Sequence, residues 1–182
     1  MRALSDLMRN FVQLGYVTDD VDVAAEFLEK KFGTVECVKH YQSNMGGGNP
    51  ADPESSYYVI VGDQLAQDWT IDVVLVNAGG TNIEIIRPVS GAVDLYRGAV
   101  RPGVPATLHH LGFKVDDFDE ATRVVTEAGG TWAQYGLSGD MRFGYLDTVA
   151  ALGHYIEVME LGPNGATMFA QLEAASNERV PA

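Results

Sequence analysis

Apolar side chains along this chain fall into two rhythms, every second residue in some stretches and every third or fourth in others. Phe11 to Thr18 alternates as a strand, and Ala24, Phe27, Leu28 and Phe32 then form a helical stripe that Asp19 or Asp20 can cap and Gly33 can end. Strands follow at about Val35 to Tyr41, at Tyr57 to Val61 and Thr70 to Val76 around a turn, and at Thr81 to Arg87, where Pro88 stops the run. The plan then starts again. Leu108 to Val115 alternates, Phe118, Ala121, Val124, Val125 and Ala128 make a stripe that stops at Gly129-Gly130, and Thr131 to Tyr135, Met141 to Asp147 and His154 to Leu161 close the second round. Leu4, Leu7 and Met8 allow a short leading helix, and a last helix is expected over Gly165 to Ser176 with a frayed polar tail beyond it.

The two rounds are copies of one unit. Placing Gln13 on His110 also matches Leu14 with Leu111, Gly15 with Gly112, Asp19 with Asp116, Asp20 with Asp117, Asp22 with Asp119 and Ala24 with Ala121. Ala78-Gly79-Gly80-Thr81-Asn82-Ile83-Glu84 lines up in the same way with Ala151-Leu152-Gly153-His154-Tyr155-Ile156-Glu157. Each copy, residues 11–88 and 108–161, reads as strand, helix and three further strands, an α+β plan. The segment 42–56, with Gly46-Gly47-Gly48-Asn49-Pro50, is a loop insertion without counterpart in the second copy, and 162–182 is the C-terminal helix and tail. At 182 residues the copies have to pack as halves of a single domain, 1–182.

Parity along the strands selects candidate chemistry. Gln13, Glu84 and Glu157 each sit between aliphatic neighbours that a helix can cover, which leaves the polar side chain on the concave face. In Leu108 to Val115 the helix-facing set is Leu111, Phe113 and Val115, so His110 points inward, while His109 shares their parity and reads as a hydrogen-bonded structural residue. His154 reads the same way, and His40 as a surface histidine. Two carboxylates buried without a cation cost several kcal/mol or shift their pKa values. One imidazole, one amide oxygen and two carboxylates, from Gln13, Glu84, His110 and Glu157, suit Zn, Ni, Co or Mn as a divalent ion.

Charge narrows the partners. Twelve basic and 25 acidic residues give a net charge of −13, which opposes loading onto nucleic acid or an anionic membrane, although Arg87, Arg97, Arg101 or Lys114 could meet a modestly anionic ligand. No apolar run approaches the roughly 20 residues that cross a bilayer, and Met-Arg-Ala-Leu-Ser-Asp lacks the core of a signal peptide, so a cytoplasmic protein is expected. Cys37, the single cysteine, has no partner for an internal disulfide and reads as a small buried side chain. The acidic surface and exposed closing strands are compatible with a homodimer.

Gln-Leu-Gly-Tyr-Val-Thr-Asp-Asp (13 to 20), Ile-Glu-Ile-Ile-Arg-Pro (83 to 88), His-His-Leu-Gly-Phe-Lys-Val-Asp-Asp (109 to 117), Phe-Gly-Tyr-Leu-Asp-Thr (143 to 148) and Tyr-Ile-Glu-Val-Met-Glu (155 to 160) together resemble the vicinal-oxygen-chelate, or glyoxalase/bleomycin-resistance/dioxygenase, superfamily. The resemblance implies two βαβββ modules in a U-shaped mixed sheet around one metal ion per site. It places the ligands on Gln13, Glu84, His110 and Glu157, a set similar to that of zinc-type glyoxalase I. It implies a metal-dependent isomerase or lyase acting on a small carbonyl substrate, with Glu157 as first choice for the base and Glu84 placed to serve the opposite face. The methylmalonyl-CoA epimerase branch usually has His at the place of Gln13 and Gln at that of Glu84, and extradiol dioxygenases use two His and one carboxylate on iron. An acyl-CoA epimerase, an iron-dependent dioxygenase and a metal-free ligand-binding protein are the alternative readings. Tyr57, Tyr58 and Trp69 could line an apolar pocket, and the substrate and native metal stay open.

Overall fold

The computed structural model describes residues 3–177. The side chains of residues 35–39 and 175–177 fall outside the description, and with them the expectation for Cys37 and, past residue 177, the expected frayed tail. Ten strands form one sheet: β1 (Phe11–Val17), β2 (Val35–Asn44), β3 (Tyr57–Val61), β4 (Gln64–Leu65), β5 (Trp69–Ala78), β6 (Thr81–Gly91), β7 (Thr107–Val115), β8 (Trp132–Ser138), β9 (Met141–Leu146) and β10 (Tyr155–Leu161). The helices are α1 (Val21–Phe32), α2 (Asp94–Arg97), α3 (Phe118–Glu127), α4 (Val149–Leu152) and α5 (Pro163–Asn177), after a 3-10 turn at Leu4–Met8. Among the described residues no helix is long and apolar enough to cross a membrane.

Strand order is β2-β5-β6-β1-β7-β10-β9-β8-β3-β4. The first eight places are symmetric about the β1–β7 seam, where two first strands run antiparallel. On either side of the seam lies a parallel pair, β1 with β6 and β7 with β10, and antiparallel strands follow outward. The parallel pairs need long crossovers, which the helix and the outer strands of each half supply.

Helix ends follow the local chemistry. Asp20 caps α1 by accepting from the amides of Asp22 and Val23, and Gly33 ends it in the left-handed conformation at φ 68°. Asp117 caps α3 at the amide of Glu120. Of the expected α1 stripe, Ala24 and Leu28 are buried, whereas Phe32 at the last turn is 67% exposed and meets Phe27 edge-on, with ring centroids 6.2 Å apart.

Helices α1 and α3 cover the outer face of the sheet. Val21, Ala24 and Leu28 pack on Val74, Val76, Ile83 and Ile85, and Ala121, Val124 and Val125 pack on Phe113, Ile156 and Val158. The concave face has its own core, which includes Trp69, Val73, Ile86, Tyr96, Phe143, Tyr145 and Met159.

Three departures from the sequence expectation shape this interior. First, β3 does not turn back on β5; with β4 it crosses over and adds to the outer edge of β8, pairing Val59 with Gly136. The Met45 amide donates to the Trp69 carbonyl, Gly47 to Ala66, and Ala66 to Val59, so the stretch 45–68 ties the far edges of the two halves together. Second, β6 runs through Pro88 to Gly91, because the register with β5 shifts between Thr70 and Ile71 and the proline falls at that irregularity. Third, the connection 92–106 contains α2, whose Tyr96 is 1% exposed and fills the concave core.

Candidate functional site

Four strands at the centre of the sheet, β6, β1, β7 and β10, present Glu84, Gln13, His110 and Glu157 to the same concave face. Their aliphatic neighbours Leu14, Ile83, Ile85, Leu111, Ile156 and Val158 go to the helix-covered side. Val12 is the exception and packs on the inner core, beside a register shift between Phe11 and Gln13.

The seam has a geometric rule built into it. Antiparallel pairing puts Gln13 opposite Gly112, Leu14 opposite Leu111 and Gly15 opposite His110, so each polar side chain lies across a glycine of the other half. A Cβ on Gly15 would stand 1.8–2.2 Å from three atoms of the His110 ring. That ring therefore occupies the space a side chain at position 15 would take. The repeated polar-Leu-Gly triplet, Gln13-Leu14-Gly15 and His110-Leu111-Gly112, carries that rule in the sequence.

His110 is fully buried, with its Nε2 3.3 Å from Glu157 Oε2 and 3.6 Å from Glu84 Oε2. Neither His110 Nε2 nor Glu157 Oε2 makes a hydrogen bond. Gln13, 4% exposed, donates from Nε2 to Asn82 Oδ1 at 2.8 Å, which fixes the amide and turns its oxygen away from Asn82. Among the described residues no three His, Cys, Asp or Glu side chains are already gathered as a metal cage.

The electrostatics are those of a site that wants a cation. Burial, reinforced by the Glu157 charge and opposed by His110, raises the Glu84 carboxyl to about 7. Burial alone would disfavour a charged His110, but the negative charge of Glu157 and then that of Glu84 outweigh it and raise its pKa. A positive charge between the imidazole and the carboxylates, a proton or a metal, resolves the arrangement. Two ligands at about 2.0–2.1 Å from a tetrahedral ion lie about 3.4 Å apart, close to the separations seen here. Imidazole, amide oxygen and two carboxylates thus fit a divalent ion, provided the Gln13 and Glu84 ends turn inward.

Next to these groups is a cavity of about 70 Å3, reached by Glu84 and Glu157 and walled by Tyr41, Met45, Trp69, Tyr96, Phe143 and Tyr145 among others. Burial pushes the phenols of Tyr96 and Tyr145 well above their usual range, helped for Tyr145 by Glu157. They stay protonated and can only donate or accept hydrogen bonds as neutral groups. Trp69 Nε1 donates to Gln134 Oε1 at 3.1 Å and Gln134 Nε2 to Tyr96 OH at 2.8 Å, joining the two halves across the interior. Trp69 was expected near a pocket; Tyr57 is instead 43% exposed.

His109 departs from its expected parity. The register with β1 shifts between Gly15 and Tyr16, leaving His109 as the extra residue of a bulge. Alternation fails there, and His109, 1% exposed, turns inward beside His110. Its Nδ1 is 3.0 Å from His110 Nδ1 and its Nε2 3.3 Å from the Leu95 carbonyl. His154 bonds through Nδ1 to the Tyr155 carbonyl at 2.9 Å, and His40 stays near the surface, 3.5 Å from Asp72. Tyr96 and Gln134 were missed because nothing in a connection or on an alternating strand marks an inward polar residue as part of a shared network.

No protein of curated function matches the chain. Among solved structures, methylmalonyl-CoA epimerase from Mycobacterium tuberculosis has a similar fold, with 15% identity over 87% of this chain and 91% of the other and a TM-score of 0.52. A selenomethionine form of methylmalonyl-CoA epimerase aligns at 17% identity over 84% and 94%, TM-score 0.46, and the hypothetical protein BH1468 from Bacillus halodurans C-125 at 13% over 84% and 94%, TM-score 0.49. The profile of the glyoxalase/bleomycin resistance protein/dioxygenase superfamily matches residues 12–145, most of the chain and both sides of the β1–β7 seam. With the doubled strand order and the curled mixed sheet, this match makes the chain a member of the glyoxalase/bleomycin resistance protein/dioxygenase superfamily.

Proposed function

We propose that this protein is a metal-dependent isomerase or lyase of the glyoxalase type, moving a proton next to a carbonyl or hydroxyl of a small organic substrate. Gln13, Glu84, His110 and Glu157 are its metal ligands, and Glu157 and Glu84 carry the proton. The observation that supports this most is the buried His110 Nε2, unpartnered and 3.3 and 3.6 Å from two carboxylates that open onto a small cavity. A divalent ion there, zinc first and nickel, cobalt, manganese or iron with the same donors, supplies Lewis acidity that polarises a substrate oxygen.

The remaining work falls to the chain's own residues. His110 is held at its other ring nitrogen by His109, and Gln13 is tethered at its amide nitrogen by Asn82, which leaves the Gln13 oxygen to turn toward the ion. Glu157 and Glu84 come from the two halves, so one can take a proton from the carbon next to the carbonyl while the other returns it elsewhere on the substrate. Met45, Trp69, Phe143 and the two buried tyrosines keep bulk water from the reacting atoms. A volume of about 70 Å3 takes only the reacting end of a ligand, well below the several hundred Å3 of a drug-sized pocket.

Protein purified without added metal should carry a near-stoichiometric divalent ion by elemental mass spectrometry, and Glu157→Gln should lose it. In D2O, small 2-hydroxycarbonyl and dicarbonyl compounds should take up deuterium beside the carbonyl, with a loss of about 10²-fold or more in Glu84→Gln and in Glu157→Gln. Uptake into an acyl-CoA thioester alone would favour an epimerase. Iron together with oxygen consumption on a catechol would turn the reading to ring cleavage, and a protein that takes no metal and binds ligand unaltered in both variants would be a binding protein.

A further inference from the structure

The proton on an imidazole sits on one of two nitrogens, and the partner of one nitrogen decides the state of the other. His109 Nε2 faces the Leu95 carbonyl at 3.3 Å. A carbonyl oxygen only accepts, so His109 Nε2 carries a hydrogen. In the neutral ring His109 Nδ1 is then a bare acceptor, 3.0 Å from His110 Nδ1. Two bare nitrogens do not bond, so His110 Nδ1 must carry the hydrogen that lies between them, and a neutral His110 is left with its Nε2 lone pair facing Glu157 and Glu84.

We propose that His109 is a positioning residue, fixing His110 in the tautomer protonated on Nδ1 so that Nε2 presents its lone pair to the cation site; the purpose rests on the metal-dependent reading above. Three features support it beyond the two distances. The bulge on β7 exists only at this pair, and without it His109 would face away from the interior. The His109 ring is clamped, stacked 4.9 Å from Tyr96 and set 5.0 Å from Tyr155 and 5.7 Å from Tyr145. Left to itself, a neutral His110 would protonate Nε2 and donate to the carboxylate 3.3 Å away. His109 and the Leu95 carbonyl of α2 oppose that choice, so the connection between the halves sets the state of a residue on the seam.

The test reads the tautomer directly. Long-range ¹H–¹⁵N correlation spectra of the metal-free protein, histidine-labelled and held at a pH where the imidazoles are neutral, should show His110 with a protonated Nδ1 and a bare Nε2. In His109→Phe the proton should move to Nε2. In His109→Asn, whose side-chain oxygen can take the place of Nδ1, it should return to Nδ1. Zinc affinity, read by competition with a chromophoric chelator, should fall about 10- to 100-fold in His109→Phe and recover to within about threefold in His109→Asn. A wild-type His110 protonated on Nε2 overturns the proposal and needs no variant to be seen. So does a folded His109→Phe with the wild-type tautomer and zinc affinity within about twofold of wild type. Wild-type protein that shows the Nδ1 tautomer yet binds no divalent ion would sink the metal reading and leave the role of His109 standing.

Discussion

Gly15 contributes no side chain, and that is its contribution to the site: the His110 imidazole lies where its Cβ would be. Gly15→Ala should therefore push a buried ring off its place, at a cost of about 1–3 kcal/mol by urea denaturation, and weaken divalent-metal binding with it. Gly112→Ala should cost less, because the nearest atom to its Cβ is the flexible end of Met159 at 2.9 Å. Asp72 offers a residue-scale test of charge on the other face of the sheet. It is buried and held by Arg87 and by Gln42 Nε2 at 3.0 Å; burial works against its charge, but the bonds from Arg87, Gln42 and His40 lower its pKa below the usual value. A depressed carboxyl stabilises the fold fully above its unfolded value of about 3.9 and loses that contribution as pH falls through the folded value. Asp72→Asn should thus destabilise by about 1–3 kcal/mol at neutral pH, and in denaturant titrations the gap to wild type should close only below about pH 4.

At the scale of elements, β3 and β4 depend on long-range pairing that their own sequence does not announce. Alternation marks Tyr57 to Val61 as a strand, yet its partner is β8 in the other half and not the neighbouring β5. The stretch 45–68 closes the concave side, and Trp69 anchors it there through Gln134. Trp69→Phe leaves Gln134 Oε1 buried without its donor and should cost about 1–3 kcal/mol. Replacing Gln134 by Leu in the same protein removes that orphan while taking the donor from Tyr96 OH in either background, so a double-mutant cycle by thermal melting should isolate a coupling of about 0.5–3 kcal/mol between positions 69 and 134. The bulge at His109 belongs to the same scale. A period of two holds along regular strand, and a single extra residue brought the side chain that parity assigned to the helix side against His110.

Across the whole molecule, the β1–β7 seam joins both halves of one chain into a continuous sheet, with the four candidate ligands on its central strands. One chain thus supplies a full set, and native mass spectrometry should find one divalent ion per chain, retained when the protein is diluted to a monomer. The sequence by itself determined the doubled α+β plan, the central strands and the polar residues they offer the concave face. It could do so because hydrophobic period and helix caps are local, and because two aligned copies mark equivalent positions such as Gln13 and His110. Only the tertiary structure decided that Gly15 lies under His110, that His109 turns inward beside it, that Tyr96 and Gln134 join the interior, and that residues 45–68 close it. Those contacts link residues far apart in the chain through strand register and a bulge, and no periodicity within one segment carries that information.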